Sequence, residues 1–176
     1  ASGQKLVTLD YAQKSGIWVS NDFGATWAKA AGQPEPTSQI DWRGVASSAD
    51  GTKLAAVAEY GHIWLSTDAG ASWTKKELEG RTHTWYDVAS SADGARLVAV
   101  TRTGLSDDGS VWYSADSGNA WTKVLPGGTT RSFWAVASSS DGLTIAAPEY
   151  NGNIWISVDG GVTWIEHSVG ATQPWQ

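Results

Sequence analysis

The residues best suited to chemistry are aromatic rings with polar groups close by. Trp42-Arg43, His83 with Trp85-Tyr86, Arg131 with Trp134, and Trp175 near the end form one series. Glu59-Tyr60 with His62, Arg102, and Glu149-Tyr150-Asn151 with Asn153 form a second, each placed just after a short apolar run. Aromatic faces stack on the C–H faces of sugars, and Arg, Asn, Glu and His supply hydrogen bonds around them. Apolar walls with a few aimed polar groups are the general recipe for a ligand site. The competing use of the same rings is packing, because a buried aromatic side chain removes about 150–250 Å² from water.

Catalytic arrangements fare less well. Glu59 and Glu149 could face each other as the carboxylate pair of a glycosidase, but nothing in the sequence selects that arrangement. Glu59-Tyr60 and Glu149-Tyr150 are neighbours in sequence and point to opposite sides of a strand, so neither reads as an activated nucleophile pair. His62, His83 and His167 are isolated and give no zinc spacing. Asp107-Asp108-Gly109 lacks the regular ligand spacing of a calcium loop and reads as a solvated turn. No catalytic residue, metal site or cofactor is assigned, and the residues favour binding over catalysis.

The elements that must position these groups announce themselves through a repeat. Ser-x-Asp-x-Gly-x-x-Trp occurs at Ser20–Trp27, Ser66–Trp73, Ser114–Trp121 and Ser157–Trp164, with closing tryptophans 46, 48 and 43 residues apart. A fixed period of that length signals a repeat architecture. Its four aspartates, Asp22, Asp68, Asp116 and Asp159, suit turns: Asp bonds turn amides and Gly supplies positive φ. One carboxylate per repeat does not make a metal shell. Trp27, Trp73, Trp121 and Trp164 fall on the returning strand and can anchor each unit.

This motif resembles the Asp-box, or BNR repeat, of sialidase-like β-propellers. The resemblance implies an all-β fold of four-stranded antiparallel blades, with the box a structural turn remote from any active site. A sialidase of that kind would need three convergent arginines, a Tyr–Glu pair and an acidic Asp. Of five arginines only Arg43, Arg102 and Arg131 sit at suitable starts of loops or strands, and the Arg-Ile-Pro segment of that family is absent. The resemblance also implies an exported protein.

Repeat two shows the unit most cleanly. Strand A is Trp42–Ser48, Asp50-Gly51 turns the chain, strand B is Lys53–Ala58, strand C is Ile63–Ser66, and strand D follows the box. Repeat three begins its strand A at Trp85 and repeat four at Trp134. Pro148 should shorten the pairing of its strand B. Strand C carries Trp18, Trp64, Trp112 and Trp155, which read as core. The expected organisation is a single domain over 1–176, with repeats 1–32, 33–78, 79–125 and 126–170 and a closing strand at 171–176.

The chain opens in a strand B and ends on Trp175, the start of a strand A. Either Trp175 closes a four-bladed ring within the chain, or it completes a partner's first blade and two chains form an eight-bladed homodimeric ring, or the chain is one piece of a longer propeller. Small residues on the inner strands favour the shared ring. The missing initiator Met points to processing or to a longer parent. In a meander the D–A and B–C connections share one end, and the boxes lie at the other. The varied loops therefore carry the candidate ligand-binding residues, among them Trp42, Arg43, Glu59, Tyr60, His62, His83, Trp85, Tyr86, Arg102, Arg131, Trp134, Tyr150, Asn151 and Trp175.

Composition narrows the partner. A net charge of −6 opposes binding to a phosphate backbone, and equally an anionic membrane surface. No apolar run reaches the length of a spanning helix. Without cysteine, disulfides drop out of the argument. A glycan or protein ligand remains, with a self-assembling structural propeller or a glycoside hydrolase as alternatives.

Overall fold

A computed structural model describes residues 3–10, 16–33, 40–104 and 107–170. Fifteen strands appear among them, all paired antiparallel, with one short 3-10 turn at Pro126–Gly128. No described helix is long and apolar enough to cross a membrane. The strands fall into successive meanders. The first is β1 (Leu6–Asp10), β2 (Gly16–Ser20) and β3 (Ala28–Lys29). The second is β4 (Asp41–Ser47), β5 (Leu54–Gly61), β6 (Ile63–Ser66) and β7 (Thr74–Lys76). The third is β8 (His83–Ser90), β9 (Leu97–Thr101), β10 (Val111–Ser114) and β11 (Thr122–Val124). The last is β12 (Ala137–Ser138), β13 (Ile145–Pro148), β14 (Ile154–Ser157) and β15 (Ile165–His167). β13 stops at Pro148, which has no N–H to continue a ladder.

Alternation along the second strand of each meander builds the core. On β5, Leu54, Ala56 and Ala58 face a cluster with Ile17, Trp42 and Trp73, while Ala55 and Val57 face another with Trp85, Val88 and Trp112. On β9, Leu97 and Ala99 join that second cluster, and Val98 and Val100 turn to a third with Phe133, Ile145 and Trp155. The second and third meanders are therefore apolar on both faces and are covered by their neighbours. Small residues at these positions let the sheets approach.

Consecutive meanders interlock at one end through their Asp-Gly turns. Ala49 donates its N–H to the Ala92 carbonyl at 2.7 Å, and Ala92 donates to Ser140 at 2.7 Å. The stem of a cation from each meander lies over the turn glycine of the next, so a Cβ at Gly94 would come within 2.7 Å of Lys53 Cδ and one at Gly142 within 2.6 Å of Arg96 Cβ. The inner strands follow in order, β1 beside β4, β4 beside β8 and β8 beside β12.

The four boxes are the same turn. Ser66 Oγ donates to Asp68 Oδ1 at 2.8 Å and accepts from Gly70 N at 2.9 Å, and Asp68 accepts from Ser72 N and Ser72 Oγ at 2.8 and 2.6 Å. Bonds of the same kind recur at Asp22, Asp116 and Asp159. Trp73, Trp121 and Trp164 donate their indole N–H to the box glycine carbonyl at 3.2, 3.0 and 2.9 Å. Trp27 is 41% exposed, a weaker anchor than Trp73 at 8%. Leu54 pairs with Ser66 and Asp41 with Glu59, so the box lies at the opposite end of its sheet from Glu59.

Candidate functional site

The site follows from three β-bulges at the end opposite the boxes. Between β4 and β5 the pairing steps from Trp42↔Ala58 to Gly44↔Val57, which leaves Arg43 as the extra residue. Between β8 and β9 it steps from Trp85↔Thr101 to Asp87↔Val100, leaving Tyr86. β5 leaves β4 and pairs briefly with β8, and the step from Glu59↔Thr84 to Gly61↔His83 leaves Tyr60, whose φ is 54°. A bulge re-aims the side chain it displaces. Here it turns Arg43, Tyr86 and Tyr60 out of the alternating pattern.

The fourth repeat supplies its own member. Counted back from the shared Val-Ala-Ser-Ser, Trp134 stands where Arg43 and Tyr86 stand, and Phe133 takes the place of Trp42 and Trp85. The packing agrees: Phe133 bridges to Glu149 and is fully buried in the third cluster. This corrects the expectation that Trp134 is the counterpart of the two strand-opening tryptophans. The Val-Ala-Ser-Ser register was the available signal.

These residues make one continuous strip of alternating charge and ring. Arg43 pairs with Glu59 and lies over Tyr86 at 5.5 Å. Arg102 lies 5.5 Å from the Tyr86 centroid and 5.8 Å from that of Trp134, and 3.8 Å from Glu59 Oε1. Tyr86 and Trp134 approach to 4.6 Å, and Trp134 and Tyr150 to 5.0 Å. Tyr150 is 44% exposed. The indole N–H of Trp134 is buried without a hydrogen-bond partner among the described residues, as are those of Trp85 and Trp112 deeper in the core.

An open cleft of about 240 Å³ adjoins the strip and is lined by Ile40, Ala58, Glu59, Tyr60, Gly61, His62, Trp64 and Thr82. Glu59 is nearly buried and belongs to both regions. Burial, helped by Lys75, pushes the His62 pKa down, and its Nδ1 finds no partner among the described residues. Tyr60 stands exposed at the mouth.

Other expected residues sit elsewhere. Trp42 and Trp85 are buried at 3% and 1% and cannot offer a face to a ligand. His83 is buried against Trp85 and Trp112. Arg131 binds Glu149 at 2.8 Å and stacks over Trp155 at 4.1 Å, one step removed from the strip. Asn151 is exposed in the adjoining turn with φ 53°, and Asn153 bonds Glu166. Trp175 lies outside the described residues. Of the strand-C tryptophans, Trp112 and Trp155 are core, while Trp18 and Trp64 are only half-buried.

Asp107 is no solvated turn. It is buried and accepts from His83 Nδ1 at 2.8 Å, from the Thr84 N–H, and from Arg81 Nη1 at 3.1 Å. Burial opposes its ionisation, but the bonds from His83 and Thr84 outweigh that and hold its pKa at about 2. This lock fastens the longest B–C loop to β8. Asp108 instead pairs with Lys123 at 2.9 Å. Among the described residues no group of three His, Asp or Glu could hold a metal ion.

The twofold-apolar sheets, their ordered inner strands and a loop-bearing rim define a β-propeller fold. A family model for Sortilin-Vps10 (sortilin, neurotensin receptor 3) matches residues 15–152, more than half of the chain. The chain belongs to that family, whose repeats are of the Asp-box type. No curated protein matches in sequence. Among solved structures, the GH74 enzyme of Niastella koreensis superposes with a TM-score of 0.72 at 20% identity, covering 93% of this chain and 27% of that one. YCF48 from Cyanidioschyzon merolae gives 0.64 at 15% identity, covering 96% and 55%. The Cps50 (Swd1) β-propeller domain of Myceliophteria thermophila gives 0.69 at 11%, covering 97% and 53%. The chain thus spans about a quarter of the length of the GH74 enzyme, and these likenesses speak to the fold alone.

Proposed function

We propose that this chain is a non-catalytic, ligand-binding β-propeller module whose ligand is a glycan. The observation that carries the reading is the strip from Glu59 and Arg43 through Tyr86, Arg102 and Trp134 to Tyr150. Rings with charged hydrogen-bonding groups between them match the two needs of a sugar, C–H stacking and hydroxyl pairing. The cleft beside Tyr60 and His62 has room for a small group next to the strip. Glu59 and Glu149 are each held by arginine, an arrangement that fixes a carboxylate as a hydrogen-bond acceptor beside the rings. A GH74 xyloglucanase from Xanthomonas campestris shares the fold at 19% identity and a TM-score of 0.69, which is consistent with a glycan ligand through the fold alone.

A protein ligand is the second reading. YCF48 is a structural neighbour solved with a D1 peptide, at 14% identity and a TM-score of 0.54, and Arg43, Arg102 and Trp134 are residue types that anchor protein interfaces. In either case the module is taken as one domain over 1–176, closed within the chain, by a second copy, or by further blades of a longer propeller. A glycan array probed with the protein and with Trp134→Ala tests the first reading. Selective signal lost in the variant supports it, and a blank array with the intact protein moves the case to peptides.

A further inference from the structure

We infer, resting on the glycan reading above, that the cleft over Trp64 is a subsite for one uncharged sugar ring, a neutral pyranose. Trp64, Trp112 and Trp155 share one register, each opposite an alanine of the strand before it, Ala56, Ala99 and Ala147. In the last two repeats the chain covers the indole with its own side chains. Arg131 lies over Trp155 at 4.1 Å and is tied to Glu149, whose Oε2 also accepts from the Trp155 indole N–H at 3.4 Å. His83 packs edge-on against Trp112 at 5.3 Å and is tied to Asp107.

Repeat two lacks that cover. Arg131 and His83 each stand two residues before the buried aromatic that opens the inner strand, Phe133 or Trp85, and the residue two before Trp42 is Ile40. Glu149 pairs with Phe133, and the residue that pairs with Trp42 is Ala58. Two shorter apolar side chains thus replace the ion pair of repeat four. The cleft of about 240 Å³ lies at this point, with Ile40, Ala58 and Trp64 in its wall, and Trp64 stays half-buried. The first meander already lies on this face, since Ile17 and Ala30 share a cluster with Trp64, so the opening is not an uncovered sheet.

The chemistry of the cleft selects its occupant. Trp64 supplies an aromatic wall for C–H groups. Glu59, Tyr60, His62 and Thr82 also line the cleft, one acceptor and three groups able to donate or accept. His62 Nδ1 is buried with no partner among the described residues. Among the described residues no lysine or arginine lines the cleft, so an anion would meet Glu59 without a counter-charge. A guanidinium like that of Arg131 would find Glu59 already paired with Arg43, and Lys75 opposite Trp64 on β7. A ring with apolar C–H faces and hydroxyls at its edge, and no charge, meets neither obstacle. The volume equals that of roughly eight waters at about 30 Å³ each, room for a single ring and not for a chain.

Saturation-transfer NMR with single sugars tests this. The probes are glucose, galactose, mannose, xylose and N-acetylglucosamine, with glucuronate and free arginine as charged counterparts. The intact protein should transfer to at least one neutral sugar, most strongly to the C–H protons of one ring face. Trp64→Ala should weaken binding of that sugar roughly tenfold or more. Ile40→Arg, which brings back the cover of repeat four, and Thr82→Trp, which plugs the cleft from an exposed position, should each abolish it. Circular dichroism melts verify that each variant is folded, and Thr82→Trp carries the test where a variant in the wall does not fold. Transfer to no neutral sugar, transfer confined to glucuronate or to arginine, or a signal that Thr82→Trp leaves unchanged would each overturn the inference. The glycan array separates this subsite from the strip. Array signal lost in Trp134→Ala beside absent single-sugar transfer would sink the subsite and leave the strip. Single-sugar transfer lost in Thr82→Trp beside array signal unchanged in Trp134→Ala would sink the strip and leave the subsite.

Discussion

Asp107 is the residue whose role changed most between sequence and structure. Asp-Asp-Gly looks like a surface turn, and only the fold shows that the first carboxylate reaches back to His83, Thr84 and Arg81. No local pattern encodes a contact 24 residues away. Asp107→Asn removes the charge that Arg81 and His83 face, and should cost roughly 2–3 kcal/mol of stability in denaturant unfolding. Trp134 was legible in part. The sequence offers it as a candidate for the site, but its place depends on counting back from Val-Ala-Ser-Ser, which exchanges it with Phe133. The buried Trp42 and Trp85 show the limit: strand-opening aromatics look alike until the bulge reveals which residue is displaced. Trp42→Ala should therefore lower stability by about 3–5 kcal/mol, whereas Tyr150→Ala should leave the melting temperature nearly unchanged and weaken ligand capture.

The turns and strands were largely readable because each depends on few residues. Asp-Gly pairs set the hairpins, and the box sets the C–D turn. The box aspartates give a pH prediction with a definite sign. Hydrogen bonds from the hydroxyls of Thr26, Ser72 and Thr163, with those residues' backbone N–H groups, hold Asp22, Asp68 and Asp159 at about 2, against an ordinary 3.8. Bonding to Ser48 and Thr52 does the same for Asp50. A carboxylate with a lowered folded pKa contributes its stability above the unfolded value and loses it as pH falls through the folded one. Thermal midpoints should be level from neutral pH to about 5 and fall between about 4 and 2. Asp87 works the other way, since burial raises its pKa, but it is one group against these four and Asp107. What the strand pattern does not reveal is how closely inner strands approach. A Cβ on Gly44 would lie 2.7 Å from Asp87 Oδ1, 2.9 Å from its Cα and 3.0 Å from Val88 N. Because two of those atoms are backbone, Gly44→Ala should destabilise by about 1–3 kcal/mol, read as a lower denaturant midpoint.

For the molecule as a whole, the architecture was legible because a fourfold motif leaves little room for another fold. The placing of boxes and varied loops at opposite ends was legible too, since the boxes are uniform and the other loops are not. The ligand was not, because the strip joins residues from three repeats, and no single repeat contains a recognisable site. Arg43 meets Tyr86 across one inter-sheet gap, and Arg102 meets Trp134 across the next. Such a site comes from the arrangement of sheets. It should fail as a unit when a central ring is lost, and it should be indifferent to changes in the boxes.

Glycan-array binding by the intact protein, Trp134→Ala and Asp159→Ala, each verified as folded, puts that expectation to the most direct test. The account predicts selective glycan signal for the intact protein, its loss in Trp134→Ala, and its retention in Asp159→Ala. Retained signal in Trp134→Ala together with loss in Asp159→Ala would place the ligand at the box end and contradict it.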